Sequence, residues 1–295
     1  MYKIAFYVMN SKGYFVVKNF IEKFGNVSID YIVCSEDKNI KKDFFNEIKT
    51  LAIKSNINFF HRTDDYIKLE NEFTGYKLAI GWRWLIKNDT HLIVFHDSLL
   101  PKYRGFAPLV NYLANNEKMG GVTALFASSE YDKGDIIAQK SFVIQYPIKI
   151  NDAIKQIEPL YFELVDEIFL KIKSNISLKS YPQNEDQATY SLWLDSQDYF
   201  IDWSWSAEEI KRFIDAVGYP YDYAKAYLKN DIVTFIEVTI VEDVTIENRS
   251  RHIGKVIFIK DDAPVVICKN GLIKLNEIRD SKDKKLFINF RSRFT

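Results

Sequence analysis

The first half of the chain alternates between short apolar runs and longer amphipathic ones. Residues 2–9 are rich in β-branched and aromatic side chains and read as a buried strand. The polar Asn10-Ser11-Lys12-Gly13 reads as a break after it. Residues 14–24 then show helical spacing, with Phe15, Val16, Phe20 and Phe24 apolar and Lys18, Glu22 and Lys23 polar, and Gly25 ends the helix. The same reading predicts strands over 28–34, 57–60, 77–80 and 92–95, and a helix with a charged face over 39–55. Strand and helix in alternation indicate a Rossmann-like, mostly parallel sheet flanked by helices. Ligands of such sheets bind outside the carboxyl ends of the strands. That rule gathers residues 9–12, 81–84 and 96–98 into one candidate site. No GxGxxG follows the first strand, so a dinucleotide site of the usual kind is not expected.

After Asn151-Asp152, a candidate cap, a helix is expected to about residue 173. Residues 174–190 are polar and irregular and read as a linker. Beyond it the texture changes. Ser206, with Glu209 three residues on, predicts a capping box. Short apolar runs follow at 224–228, 233–241, 255–259, 264–268 and 272–278, the pattern of a small barrel or sandwich. A length of 295 residues fits two domains, drawn here as 1–180 and 190–295.

Charge removes some functions. Lys+Arg and Asp+Glu both number 40, which argues against an extended nucleic-acid footprint. The two cysteines, Cys34 and Cys268, make neither a disulfide framework nor a zinc signature and are expected to be buried thiols; no metal site is expected. The first apolar run is too short for a signal peptide, and none is long enough to span a membrane, so a cytoplasmic location is expected.

The chemistry concentrates in residues 94–113, VFHDSLLPKYRGFAPLVNYL. His96 leaves a buried strand into a loop holding Pro101, Gly105 and Pro108, and a helix is expected from about Pro108. The backbone N–H groups of residues 105–109, with Arg104 beside them, could face an anion. Residues 130–137, EYDKGDII, place Asp132 and Asp135 in a Gly-containing turn before another strand. By residue type alone, His96 is either a structural histidine or a proton shuttle, and Asp132 either a solvated turn residue or its partner.

Taken together, HDSLLPKYRG, Gly120-Gly121-Val122-Thr123 and Tyr131-Asp132-Lys133-Gly134-Asp135-Ile136-Ile137 resemble the formyltransferase family. That family includes methionyl-tRNA, glycinamide ribonucleotide and nucleotide-sugar N-formyltransferases. Ile201-Asp202-Trp203-Ser204-Trp205-Ser206-Ala207 and Tyr219-Pro220-Tyr221 look like the start of its C-terminal barrel. The resemblance implies a Rossmann-like catalytic domain followed by a small OB-like β-barrel. It implies attack of an amine on the formyl carbon of N10-formyltetrahydrofolate, with His96 moving protons or stabilising the oxyanion and Asp132 orienting it. It places the pterin against Trp82, Arg83, Trp84 and Ile86, with Ser129, Glu130 and Tyr131 opposite. Asn10, Lys12, Tyr103, Arg104, Gly105 and Phe106 are the expected contacts to the second substrate.

Two residues depart from the family pattern. Val94 stands where an asparagine is usual, and valine cannot donate to an oxyanion, a loss worth roughly 10²–10³ in rate. Backbone N–H groups, Asn111 or Ser98 are the candidate substitutes. Asp97 stands where proline is frequent. From residue 190 onward, 16 Lys+Arg face 17 Asp+Glu, a poor surface for tRNA. The expected amine is therefore a UDP- or dTDP-linked amino-deoxysugar of surface glycans. Methionyl-tRNA or a catalytically impaired folate- or sugar-binding role is the alternative. No nucleic-acid or membrane partner is expected, and a homodimer is allowed.

Overall fold

The computed structural model describes residues 2–295 and divides into two compact units. The first comprises residues up to 109, 118–144 and 152–192; the second comprises 110–117, 145–151 and 193–295.

In the first unit the chain runs β1 (Ile4–Val8), α1 (Asn10–Phe24), β2 (Ile29–Cys34), α2 (Phe45–Lys54), β3 (Asn58–His61), α3 (Ile67–Glu72), β4 (Tyr76–Ile80) and β5 (Leu92–His96). The chain continues through β6 (Arg104–Gly105), α4 (Pro108–Ala114), β7 (Met119–Phe126), β8 (Ile136–Val143), α5 (Ile150–Lys173) and β9 (Tyr190–Ser191), with residues 110–114 of α4 and 150–151 of α5 counted in the second unit. Seven strands form one sheet in the order β3-β2-β1-β4-β5-β7-β8. The first five pair in parallel, while β7 runs antiparallel to β5 and β8 to β7. The expected Rossmann-like sheet is therefore present. β1 is wholly buried, as its unbroken apolar run required. On the helix side, Phe20 and Phe24 of α1 pack edge-on against Phe169 of α5.

Four expectations need correction. The predicted break at 10–13 is the first turn of α1, which opens at Asn10 in a left-handed conformation (φ 61°). Gly13 allows this: a Cβ there would lie 2.8 Å from Val8 Cβ, so only glycine lets the helix start directly off the strand. The helix expected over 39–55 begins only at Phe45. Asp43 accepts from the Phe45 and Asp37 amides at 3.1 and 3.0 Å, which fixes the preceding residues as a loop. Helix α3 was not expected at all. Finally, residues 174–190 are not a free linker. Tyr181 and Ile136 exchange backbone hydrogen bonds of 3.0 and 2.8 Å, and β9 pairs in parallel with β6.

The second unit holds α6 (Ala207–Ala216) and five strands, β10 (Ala224–Leu228), β11 (Asp231–Val241), β12 (Val256–Lys260), β13 (Ala263–Ile267) and β14 (Leu272–Arg279). They pair antiparallel in the order β10-β11-β14-β13-β12. Residues 292–295 bind both outer strands: Tyr227 and Thr295 exchange backbone bonds of 2.7 and 2.9 Å, and the Val256 amide donates to Ser292 at 2.9 Å. No open edge remains at those positions. Trp203 stacks on Phe294, with ring centroids 5.4 Å apart, inside this unit. The Ser206 capping box forms as read, with the Glu209 amide donating to Ser206 Oγ at 3.2 Å and the Ser206 amide to Glu209 at 2.8 Å. Both cysteines are buried, and burial pushes each thiol up to about 12. No helix among the described residues is long and apolar enough to cross a membrane.

Candidate active site

Strand β5 delivers the central histidine. It pairs with β4 through Ala79–Val94 and with β7 through Val94–Leu125 and His96–Thr123. Alternation sets Val94 and His96 on one side of the strand. Val94 packs there against Leu100, Leu125 and Ile136. The loop after His96 is knitted to β7 and β8. Thr123 Oγ1 donates to the Ser98 carbonyl at 2.6 Å and accepts from the Leu100 amide at 3.1 Å, and Gln139 donates to the Leu100 carbonyl at 2.9 Å.

His96 is 7% exposed. Its Nε2 lies 2.7 Å from the Tyr103 carbonyl and its Nδ1 3.6 Å from Asp132 Oδ1. Both ring nitrogens thus face oxygen acceptors, and a neutral ring has a single N–H to offer. Asp132 is left-handed (φ 56°), a conformation aspartate tolerates better than most residues. Its Oδ2 accepts from the Gly105 amide at 2.9 Å. The turn carrying it closes against β7 at Gly134, where a Cβ would stand 1.7 Å from the Phe126 carbonyl oxygen. The structure therefore brings His96 and Asp132 together as the motif reading expected.

The polar groups of the neighbouring loop have partners within the protein. Arg104 is fully buried. Its guanidinium is spent on Glu185 at 2.7 and 2.8 Å and on Gln183 at 2.8 and 3.0 Å. The Gly105 amide serves Asp132, and the Phe106 amide donates to Ser191 at 3.0 Å. These donors hold the loop. Lys12 is also engaged. It pairs with Asp97, which accepts from the Tyr161 hydroxyl as well. Burial raises the Asp97 carboxyl, but Lys12 and Tyr161 outweigh burial and hold it below the usual carboxylate range. Asp97 thus acquires a role, that of counter-ion to Lys12. Among the candidate substitutes for the missing asparagine, Ser98 is committed to the Lys102 carbonyl at 2.6 Å. Phe106 stays exposed and Tyr103 half-buried.

The expected pterin wall is laid out at the end of β4. Trp82 meets Trp84 and Tyr7 edge-on, with centroids 5.2 and 5.4 Å away, and Arg62 lies 4.3 Å over the Trp84 ring. Ile86 is buried among Ala79 and Leu92. Trp82 Nε1 is buried without a partner, and so is Asn10 Oδ1. Arg83 is anchored by Asp37 at 2.7 and 3.0 Å. Ser129, Glu130 and Tyr131 are exposed, with Glu130 paired to Lys133 at 2.5 Å. Behind this wall, Tyr7 donates to the buried Glu70 at 2.6 Å and lies 3.2 Å from the Tyr31 hydroxyl. Burial, then the Glu70 and Tyr31 contacts, push the Tyr7 hydroxyl far up. Sequence reasoning missed Glu70, Gln183 and Glu185. All three lie in segments without a readable apolar period, so only the fold finds them.

A histidine–carboxylate pair at the carboxyl edge of an open α/β sheet is an arrangement suited to moving protons. Comparison with known proteins narrows the class. The model described as formyl transferase matches residues 65–161, and that of the formyl transferase C-terminal domain matches 194–290. The chain belongs to the formyltransferase family. It is 25% identical over 259 residues to the methionyl-tRNA formyltransferase of Acetivibrio thermocellus, covering 84% of this chain and 82% of that one. It is 32% identical over 200 residues to that of Borrelia hermsii, where the match takes in 66% of this chain and 63% of the relative, short of two thirds of its length. Among solved structures, WlaRD, a sugar 3-N-formyltransferase crystallised in the presence of dTDP and 5-N-formyl-tetrahydrofolate, superposes with a TM-score of 0.68 at 20% identity, over 94% of this chain and 99% of that one. The Helicobacter canadensis N-formyltransferase complexed with folinic acid and dTDP-3-aminofucose gives 0.68 at 18%, over 93% and 99%. At these identities the likeness establishes the fold.

Proposed function

We propose that this protein transfers the formyl group of N10-formyltetrahydrofolate to the amine of a UDP- or dTDP-linked amino-deoxysugar, a step suited to surface-glycan assembly. The reading rests on one observation: His96, at the mouth of the sheet, is backed by Asp132 at 3.6 Å and by the Tyr103 carbonyl at 2.7 Å. In the proposed reaction a C–N bond forms to the substrate amine and the formyl C–N10 bond breaks. One proton leaves the attacking nitrogen and one reaches N10. His96 carries that proton by exchanging the Tyr103 carbonyl for the substrate nitrogen, and Asp132 stabilises the charged ring. The half-buried faces of Trp82 and Trp84 fit a flat pterin.

The nearly neutral second unit favours the sugar, since gripping tRNA needs uncompensated cations. The named sequence relatives favour methionyl-tRNA, which is the second reading. One screen separates them. The full chain is incubated with formyl-tetrahydrofolate and either nucleotide-linked 3- and 4-amino sugars or methionyl-tRNA, and products are weighed by mass spectrometry. A formyl adduct on a sugar supports the proposal; formylation of methionyl-tRNA alone refutes it.

A further inference from the structure

The catalytic pair stands on a segment that its motif does not contain. Asp132 sits in a left-handed turn, and the carbonyl oxygens of that turn need partners if the turn is to hold. Gln183 supplies them: its Nε2 donates to the Asp132 carbonyl at 2.7 Å and to the Gly134 carbonyl at 2.9 Å. The other end of the same carboxamide, Oε1, accepts from Arg104 Nε at 3.0 Å and Nη2 at 2.8 Å. Arg104 is in turn locked by Glu185. Its two chain neighbours make the contacts that matter. The Tyr103 carbonyl lies against His96, and the Gly105 amide donates to the Asp132 carboxylate. Thr189, further along the same segment, accepts from both the Arg104 and Tyr103 amides, at 2.8 and 2.9 Å.

We propose that Gln183 is a positioning residue of the catalytic pair: its carboxamide ties the turn bearing Asp132 to the loop that supports His96, and so sets the distance between them. Both donors and both acceptor sites of the side chain are used, and no other residue type of this length supplies both. A glutamate keeps the acceptor for Arg104 but turns an oxygen toward two carbonyls. A leucine fills the space and offers neither end. The two substitutions therefore separate the halves of the tie.

The kinetic part of the test rests on the formyl-transfer reading; the spectroscopic part does not. In Gln183→Leu and Gln183→Glu, kcat should fall roughly 10- to 100-fold, the scale of a misplaced catalytic group, while the KM values for folate and amine stay within about threefold. In parallel, the Gly105 amide, read by TROSY NMR of the full chain without substrates, should move toward its position in Asp132→Asn. If Gln183→Leu does not fold, Gln183→Glu carries both readouts, because it keeps the acceptor for Arg104. A kcat within about twofold of wild type, or an unmoved Gly105 amide in a folded variant, overturns the proposal. A wild-type protein inactive on every amine would count against the formyl-transfer reading alone, since the amide readout still decides the role of Gln183.

Discussion

Lys12 offers the sharpest separation between a ligand contact and a structural charge. Its side chain is 11% exposed and that of Asp97 13%. The ammonium also lies 5.7 Å over the Tyr161 ring. Lys12→Met removes the cation and leaves Asp97 buried with only the Tyr161 hydroxyl. Removing one partner of a buried pair costs about 3–5 kcal/mol; the residual exposure and the surviving Tyr161 bond put this case near 3. Urea unfolding of the full chain at pH 7, followed by circular dichroism, measures it. Adding Asp97→Asn, which removes the stranded charge and can still meet Tyr161, should recover about 1 kcal/mol or more relative to the sum of the single changes. The pH dependence has a definite sign. Asp97 is held below its ordinary range, so its contribution is present above about pH 4 and lost as pH falls through the folded value. The gap between wild type and Lys12→Met should therefore narrow in acid. A cost under about 1 kcal/mol, together with a raised KM for the nucleotide sugar, would refute the reasoning and return Lys12 to the substrate.

Three further outcomes are expected. His96→Ala and Asp132→Ala should each abolish or nearly abolish formyl transfer with the melting curve retained; near-normal turnover at saturating substrate removes that residue from its role. Val94→Asn should gain less than about tenfold in turnover, a difference of roughly 1.4 kcal/mol, because the site is packed around valine against Leu100, Leu125 and Ile136. Binding to initiator methionyl-tRNA at physiological salt should be weak, and a tight, steeply salt-dependent complex by filter binding would restore the second reading.

Four of the five parallel strands were readable because each is a largely buried run with turn residues at its ends, the partly exposed β3 from its short apolar run alone, and β10 to β14 because their spacing is regular. His96 was readable from its place at the end of such a run. The start of α1 was not, since it depends on Gly13 lying against Val8, a contact outside any local pattern. The partners of the two cations were hidden for a related reason. Lys12 is held by Asp97 and Arg104 by Glu185, which lie 85 and 81 residues away along the chain. Residues 174–190 looked structureless because they are held by hydrogen bonds and an ion pair to distant groups, which leave no apolar period to count.

The tie through Gln183 also bears on the order in which the protein comes together. The matched region, 65–161, carries His96, Asp132 and Arg104, but the hydrogen bonds through Gln183 and Glu185 close chain loops of 49 to 81 residues. Such distant closures come late in folding, because their entropy must be met before the contacts reward it. Chain synthesis must pass residue 191 before the pair can be set. A fragment ending at residue 180 would keep the whole signature and lose the residues that hold it in place. Such a fragment would match the family by sequence and lack the contacts that set its centre.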